Sequence, residues 1–178
     1  MQSNLFKQIK SQKKIPIIGK GSFKDIEEKF ERLISEGYGI IEITLRSAEA
    51  LDAALKIKQK NPNIKIGLGS IKTLSELEKV SKLGFEFFVS PGTNLKMMKY
   101  SVENSIFYIP GVSNPSEILT AIEFNFNLLK FFHSEQNGGV NTLNFLKEIF
   151  SDISFIPTGG INSVNYNSYL KLTNVIAV

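Results

Sequence analysis

Cysteine is absent from this 178-residue chain, which removes at once disulfide frameworks, thiolate zinc sites, iron–sulfur clusters and cysteine nucleophiles. Histidine is nearly absent: the single imidazole, His133, is too little for histidine-rich catalytic zinc sites, while carboxylate-bound magnesium stays open. Neither a metal centre nor an organic cofactor is expected to be central. Long apolar runs are missing too. None approaches the roughly 20 residues needed to span a bilayer, and residues 1–14 alternate polar and apolar without a signal-peptide core. A cytoplasmic protein without membrane contact is expected. Nor is positive charge concentrated: the formal +4 comes from lysines spread over the whole length, the pattern of a solvated surface, so nucleic acid is not an expected partner. A modest positive field does suit an anionic metabolite. What remains is an ordinary globular composition, 42% hydrophobic and 21% charged, long enough as one domain to bury roughly 70% of its unfolded surface.

Short apolar runs recur at residues 15–18, 40–43, 64–67, 85–89, 106–109, 128–132, 153–156 and 175–178, each starting about 20 to 25 residues after the last. That interval is one βα unit, and eight of them favour an α/β chain closed as a (β/α)8 TIM barrel over an open doubly wound sheet. Helical patterns lie between the runs. Residues 23–35 place Ile26, Phe30 and Leu33 on one face, and residues 74–83 open with Thr73 and Glu76 spaced as a capping box. Pro/Gly turns follow several runs, as in Val89-Ser90-Pro91-Gly92 and Ile109-Pro110-Gly111, and read as tight βα loops at the rim where barrel active sites are built. The expected organisation is a single domain over 1–178, with a short helix at 3–12 and the barrel from residue 15. The sequence stops at Val178, on the eighth run, so the last helix of a complete barrel is missing from it.

Two runs carry residues that do not belong in an apolar wall. In Leu128-Leu129-Lys130-Phe131-Phe132, alternation sends Lys130 to the same face as Leu128 and Phe132. If that face is the interior, burial lowers the lysine pKa and leaves a free amine able to attack a carbonyl; an edge lysine reaching solvent is the other reading. In Ile41-Glu42-Ile43-Thr44-Leu45-Arg46 the isoleucines and Leu45 share one face and Glu42, Thr44 and Arg46 the other. Because the outward face of a barrel strand must meet helices, the polar set is expected inside. Extended geometry would set Arg46 at the rim, ~13 Å beyond Glu42. A glutamate in a partly dry site can exchange protons with substrate; a buried ion pair with Lys130 accounts equally for the pair. The glycines of Gly67-Leu68-Gly69-Ser70 leave space for a ligand to approach the backbone. Thr158-Gly159-Gly160, ahead of a helix expected over 161–170, offers amides and a helix N-terminus to a phosphate, or is a plain glycine turn.

Taken with Val89-Ser90-Pro91-Gly92, Ile109-Pro110-Gly111-Val112-Ser113 and Pro157-Thr158-Gly159-Gly160-Ile161, these segments resemble the 2-keto-3-deoxy-6-phosphogluconate and 4-hydroxy-2-oxoglutarate aldolase family over nearly the whole chain. The resemblance implies a Schiff-base aldolase that releases pyruvate and an aldehyde and is typically a homotrimer. Lys130 matches the Schiff-base lysine and Glu42 the proton shuttle. Arg46 and Ser70 match the positions that hold the keto-acid carboxylate, Pro91, Phe132 and Thr158 match pocket positions, and Gly159 and Gly160 match phosphate-binding amides. The chain departs from the family pattern at Ser70, often threonine, and at His133-Ser134-Glu135, where a proline-containing turn is usual; His133 reads as a rim residue. Gly19 and Lys20 stand where some relatives carry an arginine, and the glycine/serine loop after the last strand lies beyond the sequence. The alternatives are a non-catalytic or truncated barrel that binds keto acids or sugar phosphates, and a phosphosugar isomerase with Glu42 as base.

Overall fold

The computed structural model describes residues 2–178, with side chains from Asn4 onward. Strands and helices alternate from α1 (Gln2–Gln12) through β1 (Ile17–Ile18), α2 (Phe23–Ser35), β2 (Ile40–Thr44), α3 (Ala50–Lys60), β3 (Lys65–Gly69) and α4 (Leu74–Val80) to β4 (Phe87–Val89) and α5 (Leu95–Glu103). The second half runs through β5 (Tyr108–Ile109), β6 (Gly111–Val112), α6 (Pro115–Glu123), β7 (Leu128–Phe132), α7 (Gly139–Ile149), β8 (Ser154–Thr158) and α8 (Tyr166–Leu170). All strand pairs are parallel, in the orders β1-β2-β3-β4-β5 and β6-β7-β8.

Strand structure continues past the fifth apolar run, interrupted at Pro110, which has no N–H for the ladder: Gly111, expected in a tight βα loop, pairs with Lys130 in β6, and the Pro110 carbonyl accepts from Lys130 N at 2.9 Å, which ties the two sheets together. The eighth run departs from the expected strand: it makes one isolated bridge, Phe155 to Val175. Its backbone nevertheless closes the circle. Phe155 N donates to Asn174 O at 2.7 Å and Ile176 N to Phe155 O at 3.1 Å on one side, while Ile15 N donates to Val178 O at 2.8 Å and Val178 N to Lys13 O at 3.0 Å on the other. The result is a (β/α)8 barrel.

Strand alternation sorts the apolar residues into two cores. Outward-facing Ile41, Ile43, Ile66, Leu68, Leu129, Phe131 and Phe155 pack under the helices, against Ile26 and Phe30 of α2 and the alanines of α3 among others. Inward-facing Ile40, Phe87, Val89, Ile109, Leu128 and Ile156 form the second core, which α1 joins through Leu5 and Ile9. The amphipathic first helix thus plugs the N-terminal end of the barrel, each such side chain stabilising the closure by about 1.5–3 kcal/mol. Helix starts follow local chemistry: Ser22 with Asp25 and Thr73 with Glu76 form reciprocal capping boxes. Residues 74–83 form α4 and then a 3-10 turn at Ser81–Leu83. Among the described residues no helix is long and apolar enough to cross a membrane.

Candidate active site

Lys130 lies on β7, between β6 and β8 in its sheet, with only 3% of its surface exposed, and Glu42 on β2 with 4%. The edge-lysine reading is thereby excluded. Both side chains line one cavity of about 360 Å³, walled by Ile17, Phe87, Val89, Ile109 and Ile156 and reached by Thr158 and Gly159. Among the described residues no ion pair within 4.0 Å joins the lysine to the glutamate, so the buried contact pair that would have explained both residues is not formed.

Burial is the largest influence on each group. It pushes the Lys130 ammonium down from the usual lysine range, against the opposing attraction of Glu42 and with help from the Arg46 charge. It pushes Glu42 above the ordinary carboxylate range, opposed by Lys130 and then Arg46. Each residue is drawn toward its neutral form by dehydration, while the pair pulls both back toward charge. Glu42 Oε1 is fully buried and has no hydrogen-bond partner among the described residues.

The glycines of β3 turn out to serve the protein rather than leave room for a ligand. A Cβ at Gly69 would overlap Glu42 Oε1, and one at Gly67 would overlap the Phe87 ring. By register Glu42 lies opposite Gly67 and Thr44 opposite Gly69, and the glutamate side chain leans along the strand into the volume that Gly69 vacates.

At the rim, Arg46 Nε donates to Ser70 Oγ at 2.9 Å, which brings those two expected site residues together. Arg46 is exposed, and its charge bears on both buried groups. It does not sit on a continued strand, as extended geometry assumed: β2 ends at Thr44 and Arg46 N turns back to donate to Thr44 O at 2.9 Å. Phe132, at the end of β7, holds its ring 4.8 Å from Lys130 Nζ, and the exposed His133 ring packs on it at 3.5 Å between centroids. Pro91 is exposed on the loop after β4. A buried network shapes that loop: Tyr108 OH donates to Ser90 Oγ at 2.6 Å, and Ser90 Oγ donates to Gly92 O at 2.7 Å. Burial pushes the Tyr108 phenol up to about 12, its bond to Ser90 pulling the other way. Of the expected residues, Arg46, Ser70, Pro91, Phe132 and Gly160 stand outside the cavity lining.

The expected helix over 161–170 is also corrected. Gly159 and Gly160 both adopt left-handed backbone, φ 101° and 79°, but the helix begins only at Tyr166 and is five residues long. Asparagine side chains take the backbone groups that a helix would use. Asn162 Oδ1 accepts from Val164 N at 2.8 Å, Asn165 Oδ1 accepts from Asn162 N at 2.8 Å, and Asn165 Nδ2 donates to Gly160 O at 3.1 Å. Among the described residues the helix expected directly after these glycines is therefore not formed until Tyr166. The sequence reading also missed Lys14, Tyr38, Asn162, Ser163 and Tyr166, which line the cavity; Lys14 Nζ stands 3.8 Å over the Tyr166 ring. These residues come from the segments before β1 and β2 and from the turn into α8, where no local pattern marks them.

A parallel eightfold barrel that holds a dehydrated amine beside an unpaired carboxylate defines the class of carbon–carbon lyases that act through a Schiff base. The chain belongs to the KDPG and KHG aldolase family, which it matches over residues 5–178. The KHG/KDPG aldolase of Escherichia coli (strain K12) is 33% identical over 164 residues, covering 92% of this chain and 77% of that protein. Among solved structures, the 2-keto-3-deoxy-6-phosphogluconate aldolase of Zymomonas mobilis ZM4 with 3-phosphoglycerate superimposes with a TM-score of 0.91 at 28% identity, over 97% of this chain and 83% of its own. The KDPG aldolase from Legionella pneumophila, with pyruvate captured as a covalent carbinolamine, gives 0.89 at 33% identity, over 93% and 81%.

Proposed function

We propose that this chain cleaves 2-keto-3-deoxy-6-phosphogluconate, 4-hydroxy-2-oxoglutarate or both, with Lys130 as the Schiff-base nucleophile and Glu42 as the proton shuttle. The observation that carries the reading is a buried, dehydrated amine sharing one cavity with a buried carboxylate that forms no ion pair with it. The carbinolamine captured in the Legionella relative is the adduct that such an amine makes with pyruvate.

The neutral amine of Lys130 attacks the C2 ketone, and loss of water leaves a protonated imine. Glu42 takes the proton of the 4-hydroxyl, the C3–C4 bond breaks, and its electron pair moves into the imine to give an enamine while the aldehyde departs. Glu42 returns a proton to C3 and water hydrolyses the imine to pyruvate. Arg46 and Ser70 hold the substrate carboxylate, the guanidinium suiting a planar anion, and so fix the ketone beside the amine. Phe132 and Pro91 flank the ketone end. Thr158 and the amides of Gly159 and Gly160 receive the far end, phosphate in one substrate and carboxylate in the other.

A homotrimer in the cytoplasm is the setting that the family resemblance implies. Exposed apolar side chains on three consecutive helices support self-association: Leu95 and Val102 on α5, Leu119 and Ile122 on α6, Phe145 and Ile149 on α7. A coupled assay of pyruvate release tests the activity on the two substrates side by side. Release from at least one is expected, and release from neither overturns the proposal.

A further inference from the structure

Among the described hydrogen bonds, one side chain outside the site engages the base of the strand that carries Glu42 more than any other. Gln12, the last residue of α1, makes four bonds. Its Nε2 donates to Lys14 O at 2.6 Å and to Ile40 O at 2.8 Å, while its Oε1 accepts from Gly39 N and Ile40 N, both at 2.9 Å. The β1–β2 ladder proper begins only above this point, with Glu42 N donating to Pro16 O at 3.0 Å and Ile17 opposite Glu42. The Gln12 amide supplies the rung below and satisfies backbone groups that would otherwise be stranded at the plugged end of the barrel.

Ile40 is two residues before Glu42 on the same inward face and packs in the core that Leu5 and Ile9 of α1 complete. Glu42 Oε1 is buried without a hydrogen-bond partner in the space at Gly69, so the side chain is positioned by the backbone of β2 and by that space. Holding Ile40 at both its N–H and its carbonyl therefore holds the carboxylate.

We infer that Gln12 is a positioning residue for proton transfer at Glu42, acting through the base of β2. The inference rests on the aldolase reading above, and it assigns α1 a task beyond plugging the barrel. Two readouts on the same sample separate positioning from mere support: the amount of pyruvate trapped on Lys130 by borohydride, and the rate at which pyruvate methyl protons exchange with deuterated water. The first needs the amine; the second also needs a correctly placed base.

Gln12→Ala is expected to keep its trapped adduct and lose about tenfold or more in exchange per adduct, since misplacing a reacting group by ~1 Å costs up to ~10²-fold. With substrate, kcat falls while KM stays. Gln12→Glu keeps the acceptor but turns a carboxylate oxygen on Lys14 O and Ile40 O in place of both donations, so its exchange per adduct is also expected to fall about tenfold or more; it carries the test if Gln12→Ala does not fold. Exchange per adduct at the unaltered rate in Gln12→Ala, or in Gln12→Glu where that variant stands in, overturns the inference even if the melting temperature drops. Absence of any adduct on the unaltered chain removes the aldolase reading and this inference with it.

Discussion

Ile40 and Glu42 point into the same barrel from one strand, as Leu128 and Lys130 do from another, yet the two layers differ completely in character. The lower layer is apolar and capped by Leu5 and Ile9. The upper layer places two ionisable groups against a cavity with their charges largely dehydrated. The difference teaches that the plug and the chemistry are one arrangement: a dry floor keeps water from solvating the amine and carboxylate from beneath, and burial then pushes the Lys130 ammonium down and the Glu42 carboxyl up from their ordinary ranges.

Breaking the upper layer has the largest expected effect. Lys130→Ala removes the nucleophile, and kcat/KM for pyruvate release is expected to fall on the order of 10⁴-fold or more. Glu42→Gln keeps shape and removes proton transfer, with an expected loss of ~10²–10⁴-fold in kcat, measured in the same assay. Gly69→Ala tests the space rather than the charge: the new methyl displaces the carboxylate, and kcat is expected to drop about 10²-fold although no reacting group has been removed. Breaking the lower layer reverses the balance. Ile9→Ala leaves a cavity in the plug and is expected to cost about 2–5 kcal/mol in chemical denaturation, with a smaller change in turnover than any upper-layer variant.

The pH dependence of stability sharpens the same contrast. Glu42 has its folded-state value raised, so between the ordinary carboxylate range and that raised value the folded chain binds more protons than the unfolded one. Stability therefore falls as pH rises through this window. Lys130 has its folded-state value lowered, so below the ordinary lysine range the unfolded chain binds the extra proton and stability falls as pH drops. Denaturant midpoints of Glu42→Gln across pH are expected to lose the first slope and to exceed those of the unaltered chain near neutrality. Equal slopes in both proteins would contradict the buried-carboxylate account. Ile9→Ala is expected to shift its midpoint evenly across pH, because it adds no titrating group.

How much was legible beforehand follows the same layering. Alternation along a strand is local, so Glu42 between Ile41 and Ile43 could be sent inward from sequence alone, while Lys130 could be put on one face with Leu128 and Phe132 but not told from an edge lysine; both lie in the cavity. The periodicity of residues 23–35 matches α2 to the residue. Features that need two segments at once were not legible. The service of Gly69 to Glu42 depends on the register of β2 against β3. The late start of α8 depends on Asn162 and Asn165 competing for backbone groups, a contest that propensity over 161–170 does not reveal. Tyr38 and Lys14 reach the cavity from segments that carry no motif, and Gln12 meets Ile40 across 28 residues of chain.

The most direct measurement is borohydride reduction of the chain with pyruvate, followed by intact mass and peptide mapping. The expected result is one reduced pyruvyl adduct per chain, located on residue 130 and lost in Lys130→Ala. An unmodified chain at saturating pyruvate, or an adduct that persists on another lysine in that variant, would contradict the account.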